Sequence, residues 1–270
     1  MSNVYDMPLL NEVRKITANM YRQGWNERNG GNISCMIDKE DEDKYLSGLS
    51  VIRTTELTAA VPELDGKCFL VTGTGKYFKN IEDDPETNLG IVRLREGGKK
   101  VDLLWGFKDG GRYTSEFASH LMAHSARFKQ DKQHRIIMHA HPLNVLSMTH
   151  IHDLDDRAFT KTIWQMCTEC LVVFPDGIGV LPWMVCGNDE IGRATAKKFE
   201  EYRICIWAAH GIMCSGKDID ETFGLMETVE KAAQIYMQIA GHKRTMQVSD
   251  DDLKRLAAEF NLNVKAGWLD

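Results

Sequence analysis

Apolar positions along this chain fall into two periods. Leu10, Val13, Thr17, Met20 and Gly24 share one face of a helix that Pro8 can open, which predicts an amphipathic helix over 8–24. Asn29-Gly30-Gly31-Asn32 breaks it. The stretch 37–64 is charged, patternless and rich in Ser and Thr, an excursion rather than a linker. Cys68-Phe69-Leu70-Val71-Thr72 reads as a buried strand that ends in Gly73-Thr74-Gly75-Lys76. Residues 89–94 and 101–105 read as paired strands around Gly97-Gly98. Thr114 can cap a helix from 115 to about 129, with Phe117, Leu121, Ser125 and Phe128 inward. Ile136-Ile137-Met138-His139-Ala140-His141 is a strand that Pro142, lacking an N–H, stops. Two apolar stretches, 171–174 and 178–181, flank the turn Pro175-Asp176-Gly177. Asn188 caps a helix to about 202, residues 204–210 form a further strand, and Asp220 opens the longest helix, to about 241. Ser249 with Asp252 forms a capping box for a last helix carrying Leu253, Leu256 and Phe260.

Strands and helices alternating in this way predict one α/β domain over 1–270, a central sheet with helices on both faces. At 270 residues nothing demands a second core. The net charge of −6 offers no basic stripe for nucleic acid. No apolar stretch approaches the roughly 20 residues needed to cross a bilayer. The start Met1-Ser2-Asn3-Val4-Tyr5-Asp6 lacks the basic and apolar regions of a signal peptide, so a soluble cytoplasmic protein is expected. Seven cysteines, an odd number and mostly inside apolar strands, read as reduced thiols. Cys167 and Cys170 form a C-x-x-C without the second pair of a zinc ribbon or the early strand-to-helix turn of a redox motif.

Residues two apart on a strand point the same way, so His139 and His141 face one side at a strand's carboxyl end, where open α/β sheets place ligands. His210 closes a second apolar run, before Gly211. Three imidazoles with room for a further ligand describe a catalytic divalent-metal site better than a structural one. Glu116 lies in a helix's first turn, where carboxylates commonly just complement the helix dipole. Beside a metal it can act instead as ligand and general base. Phosphate can be gripped by Asn29-Gly30-Gly31-Asn32, by Thr72-Gly73-Thr74-Gly75 and by Thr114-Ser115. Gly73-Thr74-Gly75-Lys76 is not a nucleotide P-loop. His120 and His124 share a helix face without H-E-x-x-H, which points to helix packing or surface. His150-Ile151-His152 reads as solvated surface, and Lys76 and Lys161 show no Schiff-base context.

Together, residues 24–32, 71–76, Thr114-Ser115-Glu116, Met138-His139-Ala140-His141, the run 168–177 and 220–225 resemble the class II aldolase and adducin family, over almost the whole chain. The resemblance implies a mainly antiparallel or mixed central sheet. It implies one zinc ion on His139, His141 and His210, Glu116 as catalytic acid/base, and phosphate held by Asn29, Gly31, Asn32, Thr74, Thr114 and Ser115. It also implies a cyclic homotetramer with sites at subunit boundaries, where Glu169 of the neighbour assists. The activity implied is retro-aldol cleavage of a ketose 1-phosphate to dihydroxyacetone phosphate and L-lactaldehyde. The turn carries Thr74 where serine is expected, and 37–64 matches poorly.

The residue types suit that chemistry. A C–H beside a carbonyl lies about 15 pKa units, or about 20 kcal/mol, above a free carboxylate. Glu116 cannot bridge that alone, whereas a divalent ion that stabilises the charge forming on oxygen narrows the gap. A fuculose-type aldolase or a sugar-phosphate 4-epimerase of the same family shares these ligands, but the Glu169 segment and the longer C-terminal part point away from both. An adducin-like structural protein would lack the intact Glu116, His139, His141 and His210. A metallohydrolase stays open on the ligands alone.

Overall fold

Proline presets φ at a helix's first position, where no N–H partner is needed, and α1 (Pro8–Arg22) begins there. Leu10, Val13, Thr17 and Met20 are buried along it. Gly24 is not on that face: it is exposed beyond the helix end, in the left-handed region at φ +76. This computed structural model describes residues 3–269. Met1, Ser2 and Asp270, at the ends of the expected 1–270 domain, lie outside the described residues.

Nine strands among the described residues form one sheet: β1 (Asn32–Met36), β2 (Arg53–Glu56), β3 (Cys68–Thr72), β4 (Leu89–Arg95), β5 (Lys100–Gly106), β6 (Ile136–Ala140), β7 (Gly179–Leu181), β8 (Ile204–Trp207) and β9 (Gly211–Gly216). Their order is β2-β5-β4-β3-β1-β6-β9-β8-β7. Every neighbouring pair is antiparallel except β7 with β8, so the sheet is mixed and mainly antiparallel, as expected. The longer helices after α1 are α2 (Phe117–Gln130), α3 (Leu143–Met148), α4 (Asp156–Met166), α5 (Thr168–Val173), α6 (Asp189–Lys198), α7 (Ile219–Ile239) and α8 (Asp250–Glu259).

The alternation of β6 divides the core. Ile136, Met138 and Ala140 pack with Val13 of α1, Ile163 of α4 and Val229 of α7. Ile137 points the other way, onto Ala123 of α2 and Ile191 of α6. Helices thus cover both faces, each buried large aliphatic side chain contributing about 1.5–3 kcal/mol. His139 lies on the α2 side, and the register sets Asn32 directly opposite it.

Several elements depart from the sequence expectation. α2 starts at Phe117, with Glu116 at the N-cap position and making no side-chain cap. Thr114 sits too early to cap it, and its Oγ1 instead accepts from the Glu116 N–H at 3.3 Å. β1 shows no clear apolar pattern because Asn32 and Ser34, its inward residues on the α2 side, are polar. β2 arises inside 37–64 as an edge strand. Of the two stretches around Pro175-Asp176-Gly177, 178–181 supplies β7, whereas 171–174 finishes α5. Asn188 caps α6 as expected, accepting from the N–H groups of Glu190 and Ile191, and the Ser249/Asp252 capping box opens α8. The longest helix, α7, is capped by Asp218 rather than opened by Asp220. His150 is exposed, but His152 is tied down by the Asp153 carbonyl and Thr162.

Candidate active site

At the carboxyl end of β6, His139 is fully buried, and His141 stands one residue past the strand. His210 arrives in the tight turn of the β8–β9 hairpin rather than on a strand. That turn needs Ala209 in the left-handed region, at φ +55, an unusual state for a residue with a Cβ. The Thr149 hydroxyl receives the Ala209 N–H at 3.0 Å. Gly211 follows because the backbones almost touch. A Cβ there would lie 2.3 Å from the Ala140 carbonyl oxygen, 2.9 Å from His139 Cε1 and 3.0 Å from His141 Cδ2.

The imidazole centroids lie 5.0 Å (His139 to His141), 4.9 Å (His139 to His210) and 5.2 Å (His141 to His210) apart. The Trp207 indole packs against His139 and His210 at 4.9 and 5.0 Å, and its own N–H is held by Thr195. Each histidine of the β6 end is oriented through Nδ1. His139 Nδ1 lies 2.9 Å from the Ile212 carbonyl and His141 Nδ1 2.9 Å from Glu27 Oε1. Neither oxygen can donate, so both rings carry a proton on Nδ1, which leaves Nε2 as the nitrogen of each that can face a metal. Both Nε2 atoms are buried and have no hydrogen-bond partner. Burial, then the neighbouring imidazoles, holds His139 well below the ordinary histidine range, and the same causes bring His210 down to about 4. Neutral rings with converging, unpartnered nitrogens are the donor set a borderline divalent ion takes. Ligand atoms of His139, His141 and His210 all lie within 4.8 Å of one another. Glu116, Cys186 and His210 form a second such group.

Glu116 faces this cluster, Oε2 lying 3.7 Å from His139 Nε2 and Oε1 3.8 Å from His210 Nε2. It is 7% exposed, and burial raises its pKa against an opposing hydrogen bond from Asn32 Nδ2 at 2.7 Å. The candidate phosphate residues divide. Thr74, Thr114 and Ser115 line one cleft of about 720 Å³, together with Arg112 and Arg193. Asn29 is exposed, and Gly31 lies against the His139 carbonyl at φ +72, where a Cβ would stand 2.6 Å from that oxygen. Asn32 is buried, its amide engaged by Glu116 and His120. Glu169 is not brought to the histidines within this chain. It is exposed at the start of α5 and accepts from the Cys167 thiol at 2.9 Å.

Sequence reasoning passed over Glu27, Trp207, the Ile212 carbonyl, Arg112, Arg193 and Cys186. A carbonyl leaves no sequence signal, and Glu27 is three residues from the glycine break with nothing to tie it to His141. His120 and His124, expected as packing or surface residues, are fully buried in hydrogen bonds around Ser34.

The family model for the Class II Aldolase and Adducin N-terminal domain matches residues 11–237, and the chain belongs to that family. Its similarity extends to particular members. The rhamnulose-1-phosphate aldolase of Listeria monocytogenes is 48% identical over 99% of this chain and 98% of its own length. That of Enterococcus faecalis is also 48% identical, over 99% of this chain and 96% of its own. A sugar-phosphate aldolase structure from Thermotoga maritima superposes with a TM-score of 0.75 at 29% identity, covering 88% of this chain and 97% of that one.

Gly211→Ala is expected to push the hairpin turn off β6 and weaken divalent-metal binding at the three histidines by about tenfold or more, the scale of lost ligand orientation. Competition with a chromophoric chelator measures it; unaltered affinity would show that the close approach does not set the histidine geometry.

Proposed function

We propose that this protein reversibly cleaves L-rhamnulose 1-phosphate to dihydroxyacetone phosphate and L-lactaldehyde, using zinc held by His139, His141 and His210. The observation that carries the reading is the convergence of two buried, partnerless ring nitrogens with His210 beside a buried carboxylate. The substrate is inferred from the relatives that cover nearly the full chain.

A divalent ion on the three histidines supplies Lewis-acid stabilisation of the negative charge that develops on the substrate's carbonyl oxygen. The side chains do the rest. Thr74, Thr114 and Ser115, with Asn29, Gly31 and the second amide N–H of Asn32, hold the phosphate. Arg112 and Arg193 add positive charge to that cleft. The substrate's C4 hydroxyl loses its proton, the C3–C4 bond breaks with its electron pair left on C3, and Glu116 delivers a proton to C3. In the synthetic direction Glu116 takes that proton back. Burial suits it to both tasks, because it raises the carboxyl's affinity for the proton it must give and take back.

The reading includes a cytoplasmic cyclic homotetramer in which residues 1–270 act as one catalytic domain and Glu169 of the partner subunit handles the aldehyde oxygen's proton. The exposure of Glu169 and its absence from the histidine cluster of its own chain support a role toward a neighbour. No helix among the described residues is long and apolar enough to cross a membrane.

Assay of the purified protein on a panel of ketose 1-phosphates is expected to release dihydroxyacetone phosphate fastest from L-rhamnulose 1-phosphate, with chelator abolishing activity and zinc restoring it. Full activity after metal removal, or preference for another ketose, would overturn the reading. Glu116→Gln keeps the side chain's size and removes its basicity, so turnover is expected to fall by about a hundredfold or more with zinc retained. Near-normal turnover would leave Glu116 as a packing residue. Glu116→Gln and Glu169→Ala subunits, each inactive alone, are expected to regain activity on mixing. Roughly a quarter of ring boundaries would then pair two intact groups. Mixed tetramers without recovery would put both groups in one chain.

A further inference from the structure

Glu116, His120 and His124 stand at i, i+4 and i+8, from the N-cap of α2 along one face, and opposite them Asn32 and Ser34 stand at i and i+2 on β1. Four residues advance a helix by about 6 Å and two advance a strand by about 6.6 Å, so the two rows interdigitate one for one. The contacts follow that match. Asn32 Nδ2 lies 2.7 Å from Glu116 Oε2, and Asn32 Oδ1 meets His120 Nε2 in a short contact. Ser34 Oγ lies 2.7 Å from His120 Nδ1 and 2.8 Å from His124 Nε2. Asn32, Ser34, His120 and His124 are all buried.

Donor and acceptor roles along this row are determined by its first member. A carboxylate only accepts, so Asn32 turns its amide N–H to Glu116 and its carbonyl oxygen to His120. That oxygen also only accepts, so His120 carries its proton on Nε2 and its Nδ1 accepts the Ser34 hydroxyl. With its proton so used, Ser34 Oγ accepts from His124 Nε2–H. Burial brings both histidines down to about 3, so both rings are neutral and each has a single ring proton to place. Every bond in the row therefore donates toward Glu116. Aligned hydrogen bonds in a low-dielectric interior polarise and strengthen one another.

We propose that Asn32, Ser34, His120 and His124 form one polarised hydrogen-bond chain that positions Glu116, holding Oε2 while Oε1 stays free for proton transfer at the substrate carbon. The inference rests on the reading of Glu116 as the acid/base. The amide of Asn32 blocks proton passage down the row, so these are positioning residues and not a relay. Asn32 thereby has a task besides phosphate, and His120 and His124 have one besides packing.

Two measurements test it on the full-length, zinc-loaded protein. Nitrogen-15 spectra of labelled histidines, assigned with His120→Gln and His124→Gln, are expected to show the Nε2–H tautomer for both rings. An Nδ1–H tautomer at His120 would reverse the row and overturn the proposal whatever the rates of the Ser34 variants. The second measurement is hydrogen exchange at C3 of dihydroxyacetone phosphate in heavy water, which isolates the Glu116 proton transfer from aldehyde chemistry. Ser34→Ala breaks the row two contacts from Glu116. It is expected to slow exchange and lower kcat by about tenfold, with KM within about twofold and zinc content unchanged. Ser34→Thr, which keeps the hydroxyl, is expected to recover most of both rates. Undiminished exchange in folded Ser34→Ala would leave the row a purely structural device. Undiminished exchange in Glu116→Gln would instead overturn the acid/base reading itself, which the tautomers do not address.

Discussion

A carboxylate taken out of water loses several kcal/mol of hydration unless the protein replaces it, and Glu116, 7% exposed, sits where little solvent can do so. What replaces that hydration is a single amide N–H from Asn32, with the ring nitrogens of His139 and His210 at 3.7 and 3.8 Å. Much of the surrounding architecture follows from this need. Asn32 must be on the strand beside His139, the carboxylate must hang from the start of α2, and α2 must pack close enough to β1 for the amide to reach. The sheet register delivers the first condition and the packing of Phe117 and Leu121 into the core the last.

Antiparallel pairing at the centre of the sheet makes the site possible. β1, β6 and β9 are neighbours in space although more than 60 residues separate each from the next in sequence. β6 brings His139 and His141, the hairpin into β9 brings His210, and β1 brings Asn32. None of these strands holds the site alone. The approach is close enough that Gly211 and Gly31, each against a neighbouring strand's carbonyl, have no room for a side chain.

The three histidines reach one arrangement by different devices. A backbone carbonyl orients His139, an exposed carboxylate orients His141, and a strained turn against the Trp207 indole sets His210. The His139 contact is buried, whereas the Glu27 contact is open to water and screened.

The mixed α/β class, the helices at α1, α6 and α8, the paired strands β4 and β5, and the two ends of the histidine cluster were legible in the sequence. Each is written in local periods, caps and glycines, which act within a few residues and need no partner to be read. His139 and His141 were legible for the same reason, since a strand's two-residue period aligns them wherever the strand goes. β1, the Glu27 contact and the inward-facing row of Asn32, Ser34, His120 and His124 were not. Polar residues at core positions look like surface until the opposing element is known, because their burial is tolerable only when a donor and an acceptor from distant segments meet. Only the tertiary structure brings those segments together, and so only it decides which polar side chains are solvated and which are working parts of the interior.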